Sequence, residues 1–391
     1  MLKIAMVNAE HRRGGAARMA ATLVRTMNDH FEDLEVDLYH CGNGISAHRF
    51  HGLKRFGARQ INAGLTRLGG SSCVFDFGVA NEIIDRTRNA DVLHVHNLHS
   101  YYLDWKTLLE AWRDRPVVWT WHDQWGGTGR CGFALACDGW KTGCITCPHT
   151  DYYPPAWIDF AASEFKAKTD IYDRLTNLCI VSPSEWLADF AIERGFSAER
   201  VKVIPNPVDL SVFKPANSAQ CRAELGLPID SFIALFVASD CGVPRKGYPD
   251  FVRVVDSTNI TGVVVGKPPK TLAEGIIHMG SITSNEKLAQ FYSAADVMIF
   301  TSTADNYPNT ILECTACGTP TIGYRVGGAG AMLEQLVGGA VEAGQVEIII
   351  DRVKEMRSRG NRHRNVAELA AANDSSNVSR LYRGIYEMVA R

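Results

Sequence analysis

Two adjacent cations, Arg245 and Lys246, lie in the stretch SDCGVPRKGYPDF (239–251), just after an apolar run that predicts a buried strand. Arginine presents a planar fork of N–H donors and lysine a compact point charge, so the pair suits a diphosphate. Gly247 follows and is placed to open the next helix. The alternative is a solvated basic turn, because charged side chains are mostly exposed in proteins.

A second set of polar residues lies in STADNYPNTILECTACGTP (302–320). Asp305 closes a predicted loop, and Asn309 and Thr310 begin a predicted helix, where unpaired N–H groups and the helix dipole attract negative charge. Glu313 lies one turn further, where its carboxylate suits the hydroxyls of a sugar. The alternative is a capped amphipathic helix with an exposed glutamate, which the apolar neighbours of Glu313 disfavour.

Near the N-terminus, NAEHRRGGAARM (8–19) follows the first predicted strand. Gly14 and Gly15 would let backbone amides approach a ligand, and the N-terminus of the following helix favours an anion. The pair does not match G-x-G-x-x-G, and no acidic residue ends the second predicted strand, which disfavours NAD and an oxidoreductase. A plain tight turn is the alternative for this segment taken alone.

One histidine and four cysteines occupy WHDQWGGTGRCGFALACDGWKTGCITC (121–147). His122 follows a run of bulky apolar residues, which places it at the carboxyl end of a strand; a structural core histidine is the alternative. Asp123 either orients the His122 ring or caps the next turn.

The four cysteines of this stretch have the spacing C-x5-C-x6-C-x2-C and are Cys131, Cys137, Cys144 and Cys147. The last pair is a common zinc half-site, and four thiolates make a closed tetrahedral shell. Reduced thiols and paired disulfides are the alternatives, the latter disfavoured in a cytosolic setting. In each case we expect the cysteines to brace a long loop rather than to take part in catalysis.

The elements that must position these residues alternate between strand and helix, as in parallel sheets covered on both faces. In the first half, apolar patterns predict elements at Lys3–Ala9, Gly15–Asn28, Val36–His40, Asp91–Asn97, Trp105–Trp112, Val117–Trp121, Cys179–Ser182, Glu185–Arg194 and Val201–Pro205. The segment IPNPVDLSVFKP (204–215) then breaks the pattern, because three prolines in twelve residues continue neither element.

The alternation restarts after this break. The second half predicts elements at Phe232–Ala238, Asp250–Ser257, Gly262–Gly266, Ile276–Gly280, Glu286–Ala295, Asp296–Thr301, Thr310–Cys317, Thr319–Tyr324 and Asn377–Arg391. We therefore predict an α/β protein with two Rossmann-like doubly wound domains, 1–207 and 208–375, and a final helix over 376–391. In open α/β sheets ligands bind beyond the carboxyl ends of the strands, and we expect the candidate residues to meet in a cleft between the domains.

The composition of the 391-residue chain narrows the function classes. Its 46% hydrophobic and 21% charged residues are those of an ordinary globular protein of about two domains. The net charge of −2 disfavours nucleic acid as a partner. No apolar run reaches the roughly 18 residues of a spanning helix. In MLKIAMVNAEHRRGG the apolar part precedes the basic part, unlike a secretory signal, so we expect a cytoplasmic protein.

A basic segment at 49–68 indicates a membrane-facing surface. No Asp or Glu occurs from Leu38 to Phe75. The segment interleaves basic and apolar residues, namely Arg49, Lys54, Arg55, Arg59 and Arg67 with Phe50, Leu53, Phe56, Ile61, Leu65 and Leu68. Such a pattern suits an anionic bilayer, and a solvated helical face is the alternative.

Taken together, these motifs resemble the retaining glycosyltransferases of the GT-B fold, family 4. The resemblance covers most of the chain in the right order, through RGGAAR, the HD after a strand, IPNPVD, the RKG turn, and D-x7-E followed by CTACGTP. The HDQW and KTGC..CP stretch is similar to a bacterial exopolysaccharide, colanic-acid-like branch. The resemblance implies two facing domains and a final helix that crosses back to the first.

The resemblance also implies roles for single residues. Asp305 stands at the first acidic position of the family motif E-x7-E, where the family has a glutamate, whose side chain is one methylene longer. Asp305 would contact hydroxyls of the donor sugar, and Glu313 would hold the ribose of the nucleotide. Arg245 and Lys246, helped by Thr310, would bind the diphosphate, Gly15 would lie against it, and His122 would face the transferred sugar. Cations and helix N–H groups would then stabilise the leaving group without a catalytic metal.

The resemblance implies transfer of a hexose-type sugar from a nucleotide-sugar to a saccharide acceptor, which we expect to be lipid-linked. The product would belong to an exopolysaccharide or another cell-surface glycan. The enzyme would act in the cytoplasm, peripherally on the inner face of the cytoplasmic membrane. One competing function is a GT-B enzyme acting on a free phosphorylated sugar, such as an epimerase or a synthase. Another is an inactive saccharide-binding relative, which Asp305 keeps open.

Overall fold

The structure is a computed structural model that describes residues 1–11, 14–41, 49–53, 58–67, 76–335, 339–359 and 370–391. The chain forms two compact units. Unit 1 comprises Met1–Pro205 and Val378–Arg391, and unit 2 comprises Asn206–Asn377. The change of unit after Pro205 falls within the proline-rich segment that interrupts the strand and helix pattern.

The described residues of unit 1 form one parallel sheet. Its strands are β1 (Leu2–Asn8), β2 (Leu34–His40), β3 (Phe50–Gly52), β4 (Val92–Val95), β5 (Val117–Thr120), β6 (Leu178–Ser182) and β7 (Val201–Val203). They lie in the order β3-β2-β1-β4-β5-β6-β7. The helices between them are α1 (Gly15–His30), α2 (Ala58–Arg67), α3 (Val79–Arg86), α4 (Trp105–Ala111), α5 (Ala161–Tyr172) and α6 (Glu185–Glu193).

The described residues of unit 2 repeat this plan with six strands. These are β8 (Ile233–Asp240), β9 (Thr261–Lys267), β10 (Ile276–His278), β11 (Val297–Phe300), β12 (Thr321–Arg325) and β13 (Ala340–Glu342), in the order β10-β9-β8-β11-β12-β13. The helices are α7 (Ser218–Leu225), α8 (Tyr248–Thr258), α9 (Asn285–Ala294), α10 (Asn309–Ala316), α11 (Ala329–Glu334) and α12 (Val346–Arg359). The predicted α/β class with two Rossmann-like parallel sheets is confirmed.

The central strands β4 and β5 are buried on both faces. All residues of β4 and β5 are buried, as expected for parallel strands covered by helices on both sides. One face of the unit 1 sheet packs against a cluster rich in tryptophan, including Trp105, Trp119 and Trp125. The hydrophobic run of each strand therefore identifies it, and the loops at its carboxyl end carry the polar residues.

The last helix, α13 (Ser375–Val389), packs against the sheet of unit 1. The hydroxyl of Tyr386 lies 2.7 Å from Nδ1 of His94, and the hydroxyl of Tyr382 lies 2.9 Å from Oγ1 of Thr120. Both tyrosines are fully buried. The apolar face predicted for Asn377–Arg391 thus covers β4 and β5, which lie some 260 to 290 residues earlier in the sequence.

The start of the predicted membrane-facing segment is used within the fold. Arg49 lies 2.5 Å from a carboxylate oxygen of Glu35 and 3.6 Å from one of Asp37, so its charge is paired with β2. Leu53 is buried in the core of unit 1. The prediction that Leu53 belongs to an exposed surface is wrong, because this side chain packs in the core just after β3. Arg49 stays partly exposed with its charge paired.

The rest of that segment includes α2, a helix with a polar buried side. Asn62 and Thr66 are fully buried, while Ile61 and Arg67 are exposed. Four residues of the predicted surface, Lys54, Arg55, Phe56 and Leu68, lie outside the described residues, as does the side chain of Arg59. In the described part of the chain, none of the helices is long and apolar enough to cross a membrane.

A buried ion pair in unit 2 is expected to be essential for its stability. Arg222 lies 2.8 Å from Asp296, and both side chains are almost fully buried. Arg222 also donates to the carbonyls of Ala294, Ile229 and Ser231. Replacing Asp296 by alanine would leave this guanidinium buried without its counter-ion, so we expect the free energy of unfolding to fall by about 3–5 kcal/mol.

Urea denaturation followed by circular dichroism measures this loss. The matched control is Glu347→Ala, which removes a carboxylate of the same unit from an exposed pair with Arg253 and should cost less than about 1 kcal/mol. Equal effects of the two substitutions would contradict the prediction.

Candidate active site

In unit 2, the candidate residues lie where the strand order reverses. The chain runs outward from β8 to β9 on one side and returns to β11 on the other, so the loops after β8 and β11 meet at the carboxyl edge of the sheet. Ligands of open α/β sheets bind at this switch point. Arg245 and Lys246 follow β8, and Asp305 follows β11.

The turn that carries the two cations is held close to the end of β11. Gly247 has φ of 72°, and a Cβ atom at this position would lie 2.0 Å from the carbonyl oxygen of Thr301, so only glycine fits without a shift. Thr301 Oγ1 donates to the carbonyl of Gly247 at 2.8 Å, and the amide of Thr303 donates to the carbonyl of Arg245 at 2.8 Å. The backbone thereby positions the cations.

Asp305 contacts both cations, which the sequence did not predict. Its Oδ2 lies 2.6 Å from Nζ of Lys246 and 3.6 Å from Nη1 of Arg245. Burial alone would raise the pKa of Asp305, but the attraction of Lys246 and Arg245 outweighs it and lowers this pKa below its ordinary value. The carboxylate is therefore ionised, and the three side chains together carry a net charge of about +1.

Glu313 and Asn309 lie on α10, whose start is anchored by the proline-rich segment. The side chain of Asn206 donates through Nδ2 to Oδ1 of Asn309 at 2.8 Å and to the backbone carbonyl of Tyr307 at 3.1 Å. The side-chain oxygen of Asn309 therefore helps to hold the start of α10 in place, whereas the sequence predicted only a role in anion binding. Thr310 is half-buried at the first turn.

Glu313 is buried rather than exposed. Only 5% of the residue is accessible, and its Oε2 accepts a hydrogen bond from the hydroxyl of Tyr292 at 3.0 Å. Tyr292 lies on α9 and is fully buried. A carboxylate is costly to bury unless it is hydrogen-bonded, so this placement argues against the amphipathic-helix explanation.

In unit 1, the strand order reverses between β1 and β4, and the candidate residues of this unit lie at the same edge. Gly14 has φ of 90° and directly precedes α1, which begins at Gly15. The loops after β1 and β4 are joined, because the amide of Asn97 donates to Oδ1 of Asn8 at 3.3 Å.

His122 lies just after β5 and contacts a histidine that the sequence analysis missed. Its Nε2 lies 3.0 Å from Nδ1 of His96, which follows β4. Burial lowers the pKa of His122 to about 4 and that of His96 well below its ordinary value, so both rings are neutral near pH 7. One ring therefore donates an N–H and the other accepts in the hydrogen bond between Nε2 of His122 and Nδ1 of His96. The sequence shows His94 and His96 in a predicted strand, but only the pairing of β4 with β5 in the sheet brings His96 to His122.

Asp123 caps the next turn and contacts the ring of His99. Its Oδ1 accepts from the amide of Trp125 at 3.0 Å, and its Oδ2 lies 3.0 Å from Nε2 of His99. Burial raises the pKa of Asp123, but His99 and the Trp125 amide outweigh burial and lower it. Of the two predicted roles for Asp123, the structure shows the cap, and the same carboxylate also contacts the ring of His99.

The buried histidines predict a loss of stability in mild acid. Burial lowers the pKa of His94 to about 3, and His96 and His122 are also depressed. Below the unfolded value near 6.5 only the unfolded chain takes up these protons, so stability is complete above that pH and falls as the pH drops toward the folded values. At pH 5 we expect a loss of about 2 kcal/mol for each ring.

Tryptophan fluorescence during urea unfolding at pH 7 and pH 5 measures this loss, because all eight tryptophans lie in unit 1, between Trp105 and Trp186. His94→Gln should reduce the difference between the two pH values by about one third. Identical pH dependence in the variant and the unaltered protein would contradict the assignment.

The four cysteines of the loop after β5 line one cavity of about 20 Å³. They are free thiols, and burial raises the pKa of Cys131 to about 11. Within the described residues, no group of three or more His, Cys, Asp and Glu side chains is arranged to hold a metal ion. The structure thus brings Cys131, Cys137, Cys144 and Cys147 together but not into coordination geometry.

Comparison with known proteins connects these sites to a family. Residues 13–212 match Glycosyltransferase Family 4, and residues 232–358 match Glycosyl transferases group 1. The putative colanic acid biosynthesis glycosyl transferase WcaC of Escherichia coli (strain K12) is 31% identical over 283 residues, which cover 69% of each chain.

Two solved structures have the same fold over nearly the whole length. Anabaena Alr3699/HepE in complex with UDP-glucose has a TM-score of 0.69 at 15% identity, with 99% of this chain and 100% of that chain covered. Sucrose-phosphate synthase from Thermosynechococcus elongatus has a TM-score of 0.70 at 16% identity, with 100% and 99% covered. These likenesses confirm the predicted GT-B fold class, and the family match and the WcaC relative show that the chain belongs to glycosyltransferase family 4 and is a glycosyltransferase.

Proposed function

We propose that this glycosyltransferase transfers a hexose-type sugar from a nucleotide-sugar to a saccharide acceptor during synthesis of an exopolysaccharide or another cell-surface glycan. The observation that carries the proposal is the pair of cations, Arg245 and Lys246, held by Asp305 at the switch point of the second sheet. A nucleotide-sugar presents a diphosphate, and adjacent cations on a rigid turn are suited to it.

Charge development explains why the reaction needs these groups. As the bond between the sugar and the diphosphate breaks, negative charge builds on the departing phosphate oxygen and positive charge on the sugar ring. Cations already in place stabilise the first charge without reorganising. The N-terminus of α10, at Asn309 and Thr310, adds a favourable dipole. We therefore propose that no catalytic metal is required.

Glu313 is assigned to the ribose of the donor. Its carboxylate is buried beside Tyr292, and a buried carboxylate that accepts hydrogen bonds from two adjacent hydroxyls would recognise a ribose. Asp305, which is bonded to Lys246, is assigned to the hydroxyls of the donor sugar as the family motif implies.

In unit 1, His122 is assigned to the transferred sugar, and the N-terminus of α1 at Gly14 and Gly15 to a donor phosphate. A neutral His122 suits this role, because an uncharged imidazole does not repel the positive charge that develops on the sugar ring. Contact with His96 limits rotation of the ring.

Retention of configuration is part of the proposal. A double displacement would require a carboxylate nucleophile beside the anomeric carbon. Among the candidate carboxylates, Asp305 is paired with Lys246, Asp123 contacts His99, and Glu313 is assigned to the ribose. We therefore favour departure of the diphosphate and attack of the acceptor on the same face, as the family resemblance implies.

We further propose a lipid-linked acceptor and action at the inner face of the cytoplasmic membrane. The name of the relative WcaC refers to colanic acid biosynthesis, and the exposed Ile61 and Arg67 on α2 suit an anionic bilayer. Co-sedimentation with anionic but not neutral vesicles tests the membrane contact, and equal binding to both would argue against it.

A screen of UDP-, GDP- and dTDP-sugars tests the donor class. A ligand that binds only the folded state raises the melting temperature, so we expect one nucleotide series to stabilise the protein and to be hydrolysed slowly without acceptor. If none of the three series shifted the melting temperature or was turned over, the nucleotide-sugar proposal would be wrong.

A free phosphorylated sugar is the second candidate acceptor or substrate. The observation that favours it is the likeness in fold to a sucrose-phosphate synthase. Mass spectrometry of the products separates the two functions, since transfer to a sugar phosphate yields a soluble disaccharide phosphate and transfer to a lipid-linked saccharide yields a product that partitions with lipid.

A further inference from the structure

The loop after β5 contains a cavity that none of the assigned roles uses. It is lined by the cysteine cluster, which is Cys131, Cys137, Cys144 and Cys147, together with Arg130, Trp140 and Ala161 among others. Its volume of about 20 Å³ admits a single occupant of the size of an ion or a water molecule. Four thiols around a space for one ion match the composition of a closed zinc shell.

Buried positive charge surrounds this loop without a carboxylate partner. Lys168 is fully buried, and its ammonium donates only to the carbonyls of Trp125, Thr128 and Gly129, at 2.7, 2.9 and 3.2 Å. Arg130 is 2% exposed and donates to carbonyls of His149, Tyr152 and Pro154.

In the described part of the chain, neither Lys168 nor Arg130 forms an ion pair. Burying a charge without a counter-charge is unfavourable. A zinc ion held by four thiolates carries a net charge of −2, which would offset the buried positive charge of Arg130 in the cavity wall. Nε of Arg130, a residue of the cavity wall, is also buried without a hydrogen-bond partner.

Backbone amides already point at two of the sulfurs. The amide of Gly129 donates to Sγ of Cys144 at 3.2 Å, and the amide of Gly139 donates to Sγ of Cys137 at 3.4 Å. Hydrogen bonds to sulfur favour the thiolate over the thiol. The loop therefore offers donors to the charged form of cysteine, which is the form that binds metals.

We propose that the cysteine cluster binds one zinc ion through four thiolates and that this ion braces the segment carrying His122. As the cluster stands, the sulfurs are not arranged to hold a metal, so binding requires the thiols to turn toward the cavity that they share. Each cysteine reorients by rotation about one side-chain bond, and the protons that the thiols release pass to solvent.

The loop is coupled directly to the residues next to His122. The amide of Ala134 donates to Oε1 of Gln124 at 2.8 Å, and the amide of Gln124 donates to the carbonyl of Gly132 at 2.8 Å. A metal that fixes residues 131–147 would therefore fix the backbone that follows β5. The ion has a structural role here, and it does not touch the reacting groups.

Metal analysis of the full chain, purified without a metal-binding tag under reducing conditions, tests the proposal. We expect about one zinc and no iron per chain, and X-ray absorption should show four sulfur neighbours at about 2.3 Å. In Cys131→Ser and in Cys147→Ser the zinc content should fall at least tenfold. Cys41→Ser, which alters a partly exposed cysteine outside the cluster, should keep it.

Thermal unfolding followed by tryptophan fluorescence provides a second readout that does not depend on the variants. A strong chelator should lower the melting temperature of the unaltered protein, and added zinc should restore it. The proposal is overturned if the purified chain lacks zinc and takes up none in a reducing titration. It is also overturned if iron occupies the cluster, or if intact mass shows that the four cysteines form disulfides.

Discussion

Replacing Glu313 by glutamine is expected to lower kcat/KM for the donor by about 100- to 10,000-fold while the protein stays folded. A hydrogen bond to a charged group contributes about 1.5–3 kcal/mol, and the carboxylate is proposed to accept two from the ribose. The amide keeps one acceptor oxygen and places a donor where the second hydroxyl needs an acceptor. The loss should therefore come from donor recognition.

The glutamine variant separates recognition from folding. Its side chain has nearly the volume of glutamate and can still accept the hydrogen bond from Tyr292, which lies 3.0 Å from Oε2 of Glu313. Alanine should also abolish turnover, but it would open a cavity among buried neighbours and cost stability. Steady-state kinetics with the donor varied, together with the melting temperature, measures both effects.

Glu286→Gln is the matched control, because Glu286 is exposed on the neighbouring helix α9 and bonds only to Ser284 in the described contacts. It should leave kcat/KM unchanged. Full activity of Glu313→Gln would show that the carboxylate does not recognise the donor, and the assignment of this site would have to be abandoned.

Replacing Lys246 by methionine is expected to lower kcat/KM by about 100- to 1,000-fold. Removing one preorganised donor from a site where charge develops costs roughly this factor in enzymes. Methionine keeps much of the length of the lysine stem and removes only the ammonium. Asp305 would lose its cation partner at 2.6 Å and keep Arg245, at 3.6 Å, as its counter-charge, so the site would change from net positive to about neutral.

Affinity for the nucleoside diphosphate product distinguishes this role from a structural one. If Lys246 binds the diphosphate, product inhibition should weaken in Lys246→Met and be partly recovered in Lys246→Arg, which restores the charge. Lys287→Met, at an exposed position on α9, is the control and should change neither quantity. Undiminished product inhibition in Lys246→Met would contradict the assignment.

Local patterns predicted most of the fold. Runs of apolar residues identified β4, β5, β8 and β11, because parallel strands buried on both faces need continuous hydrophobic sequence. The proline-rich segment marked the change of unit. The helices α3, α5, α7, α11 and α12 and the strands β3 and β13 were not predicted. In α5 charged residues alternate with apolar ones, so the helical period is weak in the sequence.

The candidate site was predicted in its chemistry but not in its contacts. Arg245 and Lys246 were identified as the cations after β8, but their pairing with Asp305 joins residues 60 and 59 positions apart along the chain. His96 was missed because nothing near it in the sequence points to His122. These side chains meet only because β4 lies beside β5 in the sheet.

By itself, the sequence determined the order of most strands and helices, the turn at Gly247 that requires glycine, and which charged and polar side chains follow the strands. These properties depend on residues that are near each other in the chain, where periodicity and backbone preference act directly. Only the tertiary structure decided the pairs Asp305 with Lys246, Asn206 with Asn309, His96 with His122, and Arg222 with Asp296. Such contacts form when burial and sheet order bring distant segments together, and no local pattern records which segments will meet.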